Sequence, residues 1–165
     1  MQTPICGVCT QTKTLCTGCS ERLRNGEITE CDITVSRLLF KYKQDFALDE
    51  VKFTNSLEFP SVILVFTATP AGYLIGRKGK IVNALSKELG KRIRVIQKTS
   101  DIHRLAEEIL LPVKPLSINT LYKKNGVLYK IIISRKEAMR LPMDLQAIQT
   151  TFNKLLNIQT TIEFS

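Results

Sequence analysis

The sequence predicts an α+β protein in which a small four-cysteine metal-binding segment precedes two tandem copies of one helix-strand-strand-helix-helix-strand unit. Three observations carry this. Apolar spacing changes from the three-and-four step of an amphipathic helix to β-branched runs and back, and does so twice. The second passage repeats the first at an offset of 67 residues. Two C-x-x-C pairs, Cys6/Cys9 and Cys16/Cys19, open the chain. The expected boundaries are residues 1–26, 27–99 and 100–165.

Four thiolates so close in sequence can complete a tetrahedron around Zn(2+), each C-x-x-C supplying two ligands from one tight turn. With six residues between the pairs, the expected object is a compact knuckle. Other readings of the same cysteines are disulfides, a redox pair, and iron bound by four thiolates. Disulfides do not suit a cytosolic chain, and no strand precedes Cys6 as a redox C-x-x-C would need. Four protein ligands close the coordination sphere, so Cys6, Cys9, Cys16 and Cys19 are expected to hold zinc structurally. Cys31 is left over on the apolar stripe of the next helix, where a buried, inert thiol is expected.

In the first repeat, Ile28, Cys31, Val35, Leu38, Leu39, Tyr42 and Phe46 mark an amphipathic helix over about 27–46. Residues 51–57 alternate, Pro60-Ser61 turns the chain, and 62–67 is β-branched, giving two strands. Thr69 and Pro70 are placed as N-cap and first position of a short helix to Ile75. After a glycine turn, Ile81, Val82, Leu85 and Leu89 define a second helix over 79–89 that Gly90 stops. A last strand covers 92–97, with Arg92 and Arg94 on the face opposite Ile93 and Val95.

Between the two short helices lies Ile75-Gly76-Arg77-Lys78-Gly79-Lys80. Two glycines three apart mean only a turn when taken alone. Charge gives this turn a direction. The net charge of +9 is concentrated behind it. Residues 1–76 carry a net −1 and residues 99–165 a net +3, whereas 77–98 hold eight basic residues against Glu88 alone. Such a one-sided block suits a polyanion, and the start of the following helix adds a field that favours phosphate.

The turn within that order of strands and helices resembles a KH domain of the second, prokaryotic topology, similar to those of the transcription factor NusA and of a small-subunit ribosomal protein. The resemblance implies that single-stranded RNA lies in a groove, its backbone gripped by the turn and its bases on an apolar floor. Carried over by position, Gly76, Arg77, Lys78 and Gly79 form the clamp with Lys80 beside it. Ile75 and Val82 are floor, and Arg92 and Arg94 flank the bases.

The second repeat reads as a helix over 102–110 ended by Pro112 and Pro115, strands over 116–122 and 127–134 joined at Asn125-Gly126, a helix from Asp144 to Leu156, and a strand over 158–164. The offset lays Ile81, Leu85, Leu89 and Gly90 on Ile148, Phe152, Leu156 and Asn157. It lays Gly76 and Gly79 on Met143 and Gln146, so the clamp is absent from this copy. Tandem units of which only the first keeps its glycines resemble archaeal NusA-like proteins. That resemblance implies a transcription elongation or termination factor acting on nascent RNA. The alternative is an adaptor docking RNA polymerase or ribosomal proteins, with RNA contact secondary.

Apolar runs such as 62–66 fall far short of the roughly 18 residues a membrane span needs, and no secretory leader is evident, so a cytoplasmic location without membrane partners is expected. No small-molecule substrate and no enzyme activity are expected either. His103, the sole histidine, sits in a predicted helix without a catalytic partner, and no carboxylate pair stands at catalytic spacing.

Overall fold

The computed structural model describes residues 1–165 and divides them into two units, Met1–Lys98 and Thr99–Ser165. In the first, each C-x-x-C opens a short helix, α1 (Gly7–Gln11) and α2 (Thr17–Arg24). Helix α3 (Glu30–Tyr42) follows, shorter at both ends than the apolar stripe suggests. Its start is fixed by a capping box: the Thr29 hydroxyl accepts from the Asp32 N–H (3.1 Å), and the Asp32 carboxylate accepts from the Thr29 N–H (2.9 Å).

Strands β1 (Phe53–Glu58), β2 (Val62–Thr67) and β3 (Arg92–Gln97) form a sheet in that order, β1 antiparallel to β2 and β2 parallel to β3. The crossover from β2 to β3 carries α4 (Gly72–Ile75), a 3₁₀ turn (Arg77–Gly79) and α5 (Lys80–Leu89). Helix α4 starts later than its sequence suggests. The Thr69 hydroxyl accepts from the Lys52 N–H and shares a hydrogen bond with Thr67, so it ties strand ends together and does not cap the helix. Val35, Leu39, Ile63, Val65, Leu74, Ile81 and Leu85 form one core between the sheet and helices α3 and α5.

A second, smaller core joins Ile5, Cys9 and Cys19 to Ile28 and Ile33. The cysteine segment is therefore part of the first unit and not a body of its own. Its N-terminal ammonium donates to the Asp49 carbonyl, and Gln2 bridges to the chain beside Lys52. Arg37 on α3 holds it from the other side by donating to the carbonyls of Cys9 (3.2 Å) and Lys13 (3.1 Å).

Asp32, which the sequence does not single out, also pins α3 to β1. It is buried, and its second oxygen accepts from both the N–H (2.6 Å) and the hydroxyl (2.7 Å) of Ser56. A buried carboxylate bonded by three donors leaves each of them unpaired when it is removed. Asp32→Ala should destabilise the protein by about 3 kcal/mol in denaturant unfolding, and a loss below about 1 kcal/mol would show the network to be incidental.

The second unit holds α6 (Ile102–Leu110), strands β4 (Ser117–Lys123) and β5 (Gly126–Ile133), a 3₁₀ segment (Arg135–Arg140), α7 (Leu145–Leu156) and β6 (Gln159–Phe164). Its sheet repeats the first in order and direction: β4 antiparallel to β5, β5 parallel to β6. Strand β6 lies 67 residues after β3 at both ends. The helix stops match too, since Gly90 (φ 66°, ψ 16°) and Asn157 (φ 51°, ψ 35°) are both left-handed. Each ends its helix by the same backbone reversal. The hairpin turn is built on Lys124 and Asn125, with Gly126 already paired in β5.

Candidate nucleic-acid interface and metal centre

The turn between α4 and α5 has a backbone that few sequences can follow. Gly76 lies at φ 78°, ψ 168°, a region open to glycine alone. Gly79 is left-handed at φ 73°, ψ 18°, and Lys78 between them is left-handed at φ 56°, ψ 29°. Three positive φ angles within four residues turn the chain sharply and put Arg77 and Lys78 at its exposed tip. A left-handed lysine costs roughly 1 kcal/mol, a strain held where the charge must be displayed.

The two glycines are not equivalent. A Cβ on Gly76 would stand 2.8 Å from Cγ1 of Ile81 and 3.2 Å from its backbone nitrogen, and Ile81 is part of the main core. A Cβ on Gly79 would meet nothing nearer than 3.7 Å. Gly76→Ala should therefore cost about 3 kcal/mol, and Gly79→Ala about 1 kcal/mol. Equal losses in thermal unfolding would refute this reading of the turn.

Gly79 is the N-cap of α5 and supplies no side-chain hydrogen bond. The Lys80 N–H donates to the Arg77 carbonyl, and no side chain caps the amides that follow it in the first turn. The second unit does the opposite at the start of its own helix α7. Asp144 caps α7 by accepting from the Ala147 N–H at 2.7 Å, so a carboxylate already meets the amides at that helix start.

Arg77, Lys78 and Lys80 are exposed, and none is drawn into a salt bridge. Other members of the basic block are committed elsewhere, Lys91 to Glu58 at 2.6 Å for example. Glu88, its lone acid, is tied to Lys41 on α3 at 3.2 Å, with its carboxyl pKa lowered by that bond. Beside the turn, Ile75 and Val82 are half-buried.

Arg92 and Arg94 stand apart from this group. Arg92 opens β3 beside the C-terminus of α5, and the clamp lies at that helix's other end, about 15 Å away for ten residues. Arg94 is half-buried, and burial together with the Arg92 charge lowers its pKa. The burial along β3 does not alternate cleanly: Ile93 and Ile96 are buried, with Arg94 and Val95 both half-buried between them. Tyr73, to which sequence reasoning gave no role, is 51% exposed on α4 directly before the clamp. An aromatic residue three positions ahead of the first glycine was the available signal.

The four cysteine sulfurs all lie within 4.8 Å of one another, with Cys6 Sγ and Cys16 Sγ 3.9 Å apart. A tetrahedral ion with bonds of about 2.3 Å to sulfur requires sulfurs about 3.8 Å apart, so the donor set fits one ion. Backbone amides point at the sulfurs: Cys16 N–H to Cys9 Sγ (3.1 Å), Cys19 N–H to Cys16 Sγ (3.4 Å) and Cys6 N–H to Cys19 Sγ (3.5 Å). Such bonds favour thiolate. The Cys9 amide and sulfur lower the Cys6 pKa to about 7. For Cys9, the Cys16 amide pulls the other way, but burial and the neighbouring thiols push it up to about 12. Cys31 lies outside the cluster, half-buried on α3 with its pKa raised by burial.

Residues 27–98 match the family model of the NusA-like first KH domain. The glycine turn, Ile75, Val82 and the three strands of the first sheet all fall within that match. Among solved structures, the chain is similar to the one titled "Crystal structure of APE1850", with a TM-score of 0.56 and 20% identity, over 76% of this chain and 96% of that one. At that identity the likeness concerns the fold. A search of curated proteins found no match. The match supports RNA binding in general terms, and the four-cysteine cluster is compatible with a bound metal.

Proposed function

We propose that this chain binds single-stranded RNA through the KH clamp and acts on nascent transcripts as a NusA-like elongation or termination factor in the cytoplasm. The observation that carries the reading is the run of positive φ angles at Gly76, Lys78 and Gly79. It presents two unpaired cations beside the uncapped amides of α5. Phosphates meet Arg77, Lys78, Lys80 and those amides, while bases lie along Ile75 and Val82 with Tyr73 at the edge. Arg92 and Arg94 extend the basic surface along β3. The second unit is a KH copy whose clamp position is closed by Asp144.

Zinc at Cys6, Cys9, Cys16 and Cys19 supports the fold and leaves no open coordination position, and the protein works by binding, without catalysis. Docking to RNA polymerase or the ribosome is the competing role. The exposed 3₁₀ segment bearing Met139, 96% exposed, favours it as an addition to RNA binding. Crosslinking in cells followed by RNA sequencing tests the reading. Recovered RNA should be dominated by unprocessed transcript. Recovery of mature ribosomal RNA alone would move the protein to the ribosome.

A further inference from the structure

The two units share a sheet topology but differ at the end where β3 and β6 begin. In the first unit, Val62 pairs with Arg92 and the β1–β2 connection turns back at once through Phe59, Pro60 and Ser61, with the Phe59 N–H bonded to the Val62 carbonyl. Lys91 then closes that end by bonding Glu58 (2.6 Å) and the Phe59 carbonyl (3.1 Å). In the second unit the matching ladder position is Leu128 opposite Gln159. There the hairpin does not stop: it continues through the pairs Tyr122 with Val127 and Lys123 with Gly126.

This overhang and the C-terminal end of α7 wall an open cavity of about 680 Å³. Lys123, Lys124 and Asn125 line it from the hairpin tip, and three further primary amides, Asn153, Asn157 and Gln159, line it from the end of α7 and the start of β6. Val127, Leu128 and Ile158 supply apolar surface, and no carboxylate lines it. Tyr122, 84% exposed, is the cross-strand partner of Val127 and so shares its face of the hairpin.

The chemistry is divided in space. The lysines favour an anion at the hairpin tip. The C-terminus of α7 carries the negative end of the helix dipole and disfavours an anion there. Amides, which both donate and accept, match the edges of nucleobases, and an exposed tyrosine ring offers a stacking face. An acidic peptide would use the lysines and could pair its backbone with the amides, but it offers no flat face to the Tyr122 ring. A ligand with one anionic end and one neutral, flat, hydrogen-bonding end satisfies both sides.

We propose that this cavity is a second RNA subsite, taking one unstacked nucleotide with its phosphate on Lys123 and Lys124 and its base edge on Asn153, Asn157 and Gln159. The second unit would thus have lost the clamp and gained a contact at its opposite end. The inference extends the RNA-binding reading but is scored apart from it, because the cavity shares no residue with the clamp.

The test is an amide NMR titration of the full chain with nucleoside 5′-monophosphates, inorganic phosphate and a short poly-glutamate peptide. Nucleotides should shift the side-chain amides of Asn153 and Asn157 and the backbone of Gln159, and phosphate alone only the hairpin tip. Lys123→Glu with Lys124→Glu should abolish the nucleotide shifts and weaken a 16-residue single-stranded RNA about tenfold. Asn157→Gly keeps the left-handed backbone, so it should weaken nucleotide binding several-fold without lowering the melting temperature. Nucleotide shifts no larger than those of phosphate, or shifts produced by the glutamate peptide instead, overturn the proposal. Loss of RNA binding in clamp variants with the nucleotide shifts intact leaves it standing.

Discussion

Replacing Arg77 and Lys78 together by aspartate should reduce affinity for single-stranded RNA by about 100-fold or more at moderate salt, close to 2.7 kcal/mol. Two unpaired cations become two anions at the place where the backbone of the strand is held. The slope of log affinity against log salt should fall by about 1.4, the contribution of two phosphate contacts on a single strand. The fold should survive, because both side chains are exposed and aspartate accepts the left-handed backbone at position 78 more readily than lysine does. A variant that melts at the wild-type temperature and binds RNA with wild-type affinity would remove the clamp from the account. Leu145→Asp in the second unit, where position 144 is already aspartate, should leave the salt slope as it is, since no phosphate is held there.

Removing the metal should have the largest effect on stability. Cys9→Ser with Cys19→Ser takes away the two buried ligands, around which Ile5, Ile28 and Ile33 pack and to which Arg37 anchors α3. Metal binding in such a site is folding free energy, so the loss should exceed about 4 kcal/mol and lower the melting temperature by about 10 °C or more. Elemental analysis should fall from one zinc per chain to none. The same measurement separates the competing readings of the cysteines: iron would colour the protein, and a disulfide would lower the thiol count in denaturant. RNA affinity should change less than threefold below the new melting temperature, because the clamp rests on the other core, through Ile81. A chelator that leaves the melting curve unmoved would refute a structural metal.

Features set by local chemistry were legible in the sequence. The strand over 62–67 and the one over 92–97 fall where their β-branched residues put them. The offset of 67 residues recurs in the ends of β3 and β6 and in the left-handed stops at Gly90 and Asn157, though β5 begins three residues earlier than β2 would place it. Helix ends were less legible. The stripe from Ile28 to Phe46 overran α3 at both ends, although Thr29-x-x-Asp32 was a readable start signal. Long-range pairings left no trace at all: nothing local says that Asp32 bonds Ser56 across 24 residues, or that Lys78 takes a left-handed backbone. The same limit applies to the candidate site. Gly76 and Gly79 announce a turn, but Ile81 packing under Gly76 is a tertiary fact. So is the distance between the clamp and Arg92.

The central claim is that a single strand of RNA runs over the turn between α4 and α5. Photocrosslinking with a single-stranded RNA containing 4-thiouridine, followed by mass spectrometry of the attached peptides, tests it most directly. The account predicts adducts between Tyr73 and Val82, lost when Arg77 and Lys78 are replaced by aspartate. Adducts absent from that stretch, at an RNA concentration that saturates binding, would contradict it.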